Sequence, residues 1–334
     1  MASRRETLRR FGELAGLAGL ATVWPTGLQA DRGSLLPFRR GDVLVGCTLL
    51  DNPKDDHRGR GRLLHYDADL SLRQTLWIDD TTHLIQGLRF DRSRTLWAFD
   101  AFAHRVLRFS ADGRRLADFS APSRGFSNIT FAKDGRVFLG EFFVGTQSRV
   151  PLKTTLPFLP GTRRFGDGHL FEFSRDGRLL HEHTTPVQGG MGGFQGLCFS
   201  ALSPDDSTLV YVSETGSRVF RWDLIQRRPL PDLVEDRGQG TFFFDLAFDG
   251  ADRLVLIAGT TLEILEWPSG RSLTRWPLPA FGFATLSPPL EGHTYLCNFF
   301  SGEIVRLELA SGRITARVET GVRKSASGVV EIPS

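Results

Sequence analysis

The sequence predicts an all-β fold, a closed ring of six four-stranded antiparallel blades: a six-bladed β-propeller. Three observations predict it. Short runs in which apolar and polar residues alternate follow one another along most of the chain, bounded by Asp, Ser and Gly, as half-buried antiparallel strands require. A unit of about forty residues repeats. Its clearest copy is the stretch 83–119, where QGLRF, TLWAF, RVLRF and RLADF are strands and Asp112-Gly113 is a hairpin signal. The two ends of the chain also complement each other. The first unit begins directly at a second-strand position with DVLVGC (42–47), and SGVVEIP (327–333) supplies the inner strand it lacks. That closure removes a free sheet edge.

In chain order, residues 1–30 have a basic start, a short Ala/Gly-rich apolar run and a small residue at Ala30, the grammar of a signal peptide. Ser3-Arg4-Arg5-Glu6-Thr7-Leu8-Arg9 resembles the bacterial twin-arginine motif, with Thr7 where that motif usually has Phe. The run is too short and too interrupted by Glu13 to span a membrane. The expectation is an exported protein, periplasmic or secreted, without an integral span in the mature chain. Residues 31–41 read as a linker and 42–334 as the propeller.

The inner strands align as Gln86–Phe90, Ser127–Phe131, Gln195–Phe199 and Phe244–Phe248, with weaker echoes at Phe283–Ser287 and Ser327–Glu331. Second strands follow as LWAFD, VFLGE, VYVSE, VLIAG and YLCNF, and third strands as RVLRFS, HLFEFS, RVFRWD, LEILEW and EIVRLE.

Composition excludes several classes. With 40% hydrophobic and 24% charged residues the chain is an ordinary globular one, and its 27 Phe suit sheet-on-sheet packing. A net charge of +3, with the basic residues scattered, gives no clustered stripe for nucleic acid. The three cysteines, Cys47, Cys198 and Cys297, form no CxxC pair and so no zinc or redox grammar. Cys47 and Cys297 fall on equivalent strands of neighbouring blades, either as free buried thiols or as a bridge.

In an up-and-down blade the start of the inner strand and the end of the second strand open on one face. This places Gln86, Asn128, Gln195, Asp245 and Ser327 from inner strands, and Asp100, Glu141, Glu214 and Asn298 from second-strand ends, round one mouth. Such carboxylates and amides suit a small polar ligand, or a hard cation held by Glu141, Glu214 and Asp245. Alternatively, each acidic residue caps the turn that follows its strand.

Through QGLRFDRSRTLWAFDAFAHRVLRFSADG and SNITFAKDGRVFLGE the chain resembles the six-bladed NHL and SMP-30/gluconolactonase-like propellers over about residues 42–333. The resemblance implies a divalent metal, Ca or Zn, and lactone hydrolysis. It carries the family's Glu, Asn and Asp ligand positions onto Gln86, Gln195 and Phe244. Two of these are neutral and the third cannot ligate. Asn128 and Asp245 stand one place over and, on a regular strand, would face the other way. The favoured expectation is therefore an exported binding propeller, for a small polar or anionic ligand or a periplasmic protein, with an altered SMP-30-like lactonase as the alternative.

Two loops are expected over the mouth, 49–61 and the long insertion 143–167. The second carries Arg149, Lys153, Arg163 and Arg164 and reads as a lid or docking arm able to meet an anion. His181 and His183 are two apart on a strand and read as an outer surface pair, and His57, His83 and His104 are loop histidines. GGMGG (189–193) lacks the strand-to-helix context of a nucleotide loop.

Overall fold

The structure is a computed structural model that describes residues 34–53, 55–78, 84–100, 103–141, 168–186, 196–213, 216–238 and 241–333, with 55–58 described by backbone alone. The leader 1–30, His83, the 143–167 insertion with Arg149, Lys153, Arg163 and Arg164, the 189–193 glycines, Gln195 and Glu214 lie outside these residues, as does the His57 side chain.

Six blades form the ring. Blade 1 is β23 (Gly328–Glu331), β1 (Val43–Asn52), β2 (Asp55–Tyr66) and β3 (Leu72–Trp77). Blade 2 is β4 (Ile85–Phe90), β5 (Leu96–Asp100) and β6 (Arg105–Phe109). Blade 3 is β7 (Phe126–Phe131), β8 (Val137–Glu141), β9 (Leu170–Phe173) and β10 (Leu179–His183). Blade 4 is β11 (Phe199–Leu202), β12 (Thr208–Val212), β13 (Val219–Asp223) and β14 (Arg228–Val234). Blade 5 is β15 (Phe243–Asp249), β16 (Arg253–Ala258), β17 (Thr261–Glu266) and β18 (Ser272–Pro277). Blade 6 is β19 (Phe283–Leu286), β20 (His293–Asn298), β21 (Glu303–Glu308) and β22 (Ile314–Glu319).

The closure follows the expected pattern: β23 pairs antiparallel with β1 from Val43↔Glu331 to Gly46↔Gly328. Neighbouring inner strands touch in the order β23, β4, β7, β11, β15, β19 and back to β23. The core is divided in the same way. Each blade junction holds one apolar cluster; Phe99, Phe126, Ile129 and Phe171 fill that between blades 2 and 3, and Val45, Cys47, Tyr295 and Cys297 that between blades 6 and 1. Period-2 alternation lets each sheet bury both faces against its neighbours. Cys47 and Cys297 are buried free thiols there, and burial raises the pKa of both.

The described structure departs from the sequence reading in four places. The clearest repeat has the least regular fourth strand: 115–119 runs beside β6 through the Phe109↔Arg115 bridge and bonds from Leu116 N to Arg108 O and Phe119 N to Val106 O. The expected loop 49–61 is instead the far end of a long hairpin, whose ladder continues through Leu50↔Gly59 to Asn52↔Asp55. His183 is buried, not on the surface, because the junction of blades 3 and 4 covers it. In blade 4, Phe199 rather than Gln195 stands at the register position of Gln86, since Phe199 pairs with Val212 as Gln86 pairs with Phe99. The echo QGLxF misplaces this strand, whereas counting back from the Ser203–Ser207 turn places it correctly.

A short strap precedes blade 1. Leu35 N bonds Gly113 O and Phe38 N bonds Ala111 O, while Gln74 clasps Ser34 O and Leu36 N. The strap crosses the underside, opposite the face where inner strands begin.

Candidate functional site: the mouth and centre of the ring

Four of the six inner-strand starts carry β-bulges. The register shifts between Gln86 and Arg89, Phe126 and Asn128, Phe243 and Leu246, and Phe283 and Thr285. A bulge places two residues against one and breaks alternation. Ser127 and Asn128 demonstrate this: Ser127 Oγ and Asn128 Nδ2 both donate to Cys198 O, each at 2.9 Å. The expectation that Asn128 faces the other way from the position before it does not hold at this bulge.

Most of the mouth set joins blade to blade or caps a turn. Asn128 also donates to Leu197 O at 2.9 Å and accepts from Ser200 Oγ at 2.6 Å, tying blade 3 to blade 4. Ser327 Oγ donates to Ile85 O at 3.1 Å across the closure. Asp100 Oδ1 accepts from Ala103 N at 3.1 Å. Glu141 Oε2 accepts from Gly168 N at 3.1 Å, and its Oε1 lies 3.8 Å from the Arg124 guanidinium. Nearby, burial and then the charge of Arg124 lower the His104 pKa to about 4. Asn298 Oδ1 accepts from Phe300 N at 2.9 Å and Ser301 N at 3.1 Å. The second strand of blade 4 reaches its equivalent end at Ser213, whose Oγ donates to Gly196 O at 2.9 Å.

Asp245 is engaged on every side. It is 1% exposed, and its oxygens accept from Leu246 N at 2.8 Å and, in the next blade, Leu286 N at 3.0 Å. Arg89 reaches it from blade 2, three steps round the ring, with Nη2 at 3.2 and 3.3 Å from its two oxygens. The pair spans the centre of the ring. Burial raises the pKa of Asp245 against the opposing pull of Arg89 and the two N–H groups.

Glu141 stands on blade 3 and Asp245 on blade 5, each with an Arg and a backbone N–H as neighbours, and the third expected cation ligand, Glu214, lies outside the described residues. Among the described residues no three His, Cys, Asp or Glu side chains gather as metal ligands.

Two features of the site were missed by the sequence reading. One is Arg89, whose signal was visible: the aligned residues of blades 3 and 5 are Thr130 and Ala247, so a charge there breaks the repeat. The other is an aromatic ribbon on the mouth face of blades 5 and 6. Phe244 lies 6.5 Å from Phe242 and 5.8 Å from Phe281, and Phe281 stacks on Phe300 at 6.1 Å. Phe300 is 49% exposed. Asn298 organises the ribbon, since it holds Phe300 N and donates to Phe281 O at 3.1 Å. Gly282, at φ +106°, leaves room for the Phe300 ring, which a Cβ would meet at 2.4 Å.

Two cavities lie elsewhere. One of about 700 Å³ flanks blade 4 at Pro186, Phe220 and Pro231, and one of about 650 Å³ lies beside the irregular edge of blade 2 at Trp97, Phe119 and Phe131.

No protein-family model matches the chain, and no curated protein matches it in sequence. Solved structures match its fold. A nidogen/laminin complex is 14% identical, with 87% of this chain and 98% of that chain covered and a TM-score of 0.61. A protein of unknown function from Bacteroides caccae is 14% identical, with 89% and 100% covered and a TM-score of 0.59. A catalytically inactive virginiamycin B lyase from Staphylococcus aureus with quinupristin is 12% identical, with 88% and 90% covered and a TM-score of 0.54. These likenesses establish the propeller architecture; at such identities they assign no chemistry to the ring.

Proposed function

We propose that this chain is an exported binding propeller that takes a small ligand at the mouth of the ring. The Arg89–Asp245 pair carries the reading. It crosses the centre of the ring, so the mouth is a cup with a polar floor rather than an open bore. Beside it the Phe242–Phe244–Phe281–Phe300 ribbon runs from the apolar core of the blade 5–6 junction out to the exposed Phe300 ring, and we take its outer rings as one wall of the cup. Aromatic walls with a few polar groups are the usual make-up of a ligand pocket.

The ligand is accordingly amphipathic, with an apolar body on the ribbon. The carboxylates and amides expected to hold a purely polar molecule are largely committed to the protein's own backbone. The same commitment weighs against an SMP-30-like lactonase, whose metal positions fall on a neutral amide at Gln86 and an aromatic ring at Phe244. Export rests on the twin-arginine-like leader.

The test uses benzyl alcohol as a neutral aromatic probe in saturation-transfer NMR. The wild-type protein should show ring contacts, and the Phe281→Ser/Phe300→Ser double variant, folded by circular dichroism, should lose them. Unchanged transfer in the double variant sinks the assignment of the ribbon as the ligand wall.

A further inference from the structure

The chemistry at the centre of the ring is more specific than a cup for amphipathic molecules. Arg89 has a side chain 14% exposed, and its guanidinium carries five N–H donors. Its bonds to protein are Nη1 to Leu88 O at 2.9 Å and Nη2 to the two oxygens of Asp245 at 3.2 and 3.3 Å. The contacts to Asp245 are long for a charge-assisted pair, which usually closes to about 2.7–2.9 Å. Asp245 is not dependent on them, because two backbone N–H groups already satisfy its oxygens at 2.8 and 3.0 Å. The guanidinium therefore retains donor capacity.

Two more polar groups on the inner strands of blades 2 and 3 have no partner. Gln86, at the start of the same strand, is 8% exposed and its Nε2 donates to nothing among the described residues. Thr130 holds the register position of Arg89 in the adjacent blade, and its buried Oγ1 is also without a partner. Buried polar groups are ordinarily bonded, and each left unmade costs on the order of 1–3 kcal/mol. The spare donors of a guanidinium, an amide donor and a hydroxyl, all on the inner strands of blades 2 and 3, are complementary to a planar group rich in acceptors. Blades 5 and 6 present the aromatic ribbon on the opposite side.

We infer that the ring binds a small monocarboxylate with an aromatic or branched apolar body, its carboxylate on Arg89, Gln86 and Thr130 and its body against Phe281 and Phe300. This inference rests on the mouth reading above and adds the anionic head group. The geometry gives Arg89 a second partner without displacing its first: Asp245 keeps its backbone bonds, and the guanidinium bridges the two carboxylates. A matched neutral ligand would leave the retained donor charge only partly answered.

Calorimetric titration of the full chain with phenylacetate and its neutral isostere phenylacetamide tests this. Phenylacetate is expected to bind at least about tenfold more tightly, as a charge-assisted contact would give. Arg89→Met and Gln86→Leu should each weaken phenylacetate by about fivefold or more and leave phenylacetamide within about twofold. Gln86→Leu removes no charge and serves if Arg89→Met fails to fold. Equal affinities for the two probes in the wild type, undiminished phenylacetate binding in the variants, or no phenylacetate binding at all each overturn the inference. Equal affinities that still depend on Phe281 overturn the carboxylate assignment and leave the mouth reading standing. The mouth reading itself falls only if benzyl alcohol shows no ring contacts in the wild type or unchanged contacts in the Phe281→Ser/Phe300→Ser variant.

Discussion

Arg89 and Asp245 stand on opposite blades and meet across the centre of the ring, the guanidinium at 3.2 and 3.3 Å from the two carboxylate oxygens. The two partners are unequally placed, since Asp245 also receives N–H bonds from its own blade and the next. Asp245→Ala therefore strands a cation and two buried donors, whereas Arg89→Met leaves a carboxylate that is still bonded. Breaking a buried pair by removing the more embedded partner typically costs about 3–5 kcal/mol. Urea unfolding should show Asp245→Ala as the more destabilised variant; the reverse order would contradict this account of the pair.

Asn128 is a donor between blades, so its replacements should rank by donor capacity. Asn128→Ala removes the side-chain donor from Leu197 O and leaves Cys198 O to Ser127 Oγ, a loss of about 1–3 kcal/mol. Asn128→Asp is nearly isosteric but turns an acceptor toward two carbonyl oxygens, and it should unfold at lower urea than Asn128→Ala. Equal midpoints would mean that the amide is not the joint between blades 3 and 4.

Gly87 has φ +65°, and a Cβ there would lie 2.0 Å from Ser127 O. Both the backbone conformation and the approach of blade 3 require its missing side chain. Gly87→Ala should lower the melting temperature far more than Gly321→Ala, a glycine at φ +71° with open space around its Cβ. Similar losses at the two sites would show that conformation alone, not the blade contact, matters.

Two buried networks contribute to the response to acid, alongside His104, whose pKa burial lowers to about 4. Burial lowers the His65 pKa, opposed by its bond to Asp42. The neutral ring is favoured in the fold, so the stability it contributes is full above the ordinary histidine range near about 6.5 and is lost as pH falls below it. Glu172 behaves similarly at lower pH. Burial would raise its pKa, but the bonds from His183 and Arg136 outweigh burial and hold it at about 2. Its contribution is present above the ordinary Glu value near about 4.3 and disappears as pH drops toward about 2. Urea midpoints from pH 8 to 3 should fall in two stages. Glu172→Gln should flatten the lower stage and leave the upper one, while a profile identical to wild type would exclude Glu172 as the acid-sensitive group.

The closure offers a fifth test. Ending the chain at Ala326 removes β23, bares the inner edge of β1 and unpairs Val43–Gly46. The truncated protein should elute as aggregate rather than monomer in size-exclusion chromatography, as exposed edges template further pairing. A monodisperse monomer would show that the ring is stable unclosed.

The fold was legible because propeller architecture is written in a local code. Alternation, Asp-Gly turns and a repeated unit each report on neighbours in sequence, and QGLRF through RLADF carried all three. The site was less legible because its decisive features depend on distant residues. The bulges at the inner-strand starts turn Ser127 and Asn128 to the same carbonyl, which no alternation rule anticipates. Arg89 could be seen as an interruption of the repeat, but its partner on the opposite blade follows only from the closed ring. At the acidic strand ends Asp100 takes up the backbone N–H of Ala103, the turn-capping alternative the sequence had left open, while Glu141 takes up that of Gly168, 27 residues on.

Closure by β23 has a kinetic consequence. Thr48 and Ser325 bond across 277 positions of sequence, so the joint between first and last blades cannot form until almost the whole chain has been synthesised. Such non-local pairing is slow, because loop-closure entropy is lost before any contact rewards it. During synthesis the first hairpin must wait with one flank uncovered while five further blades assemble, and that interval is when the nascent protein is most open to pairing with the wrong strand.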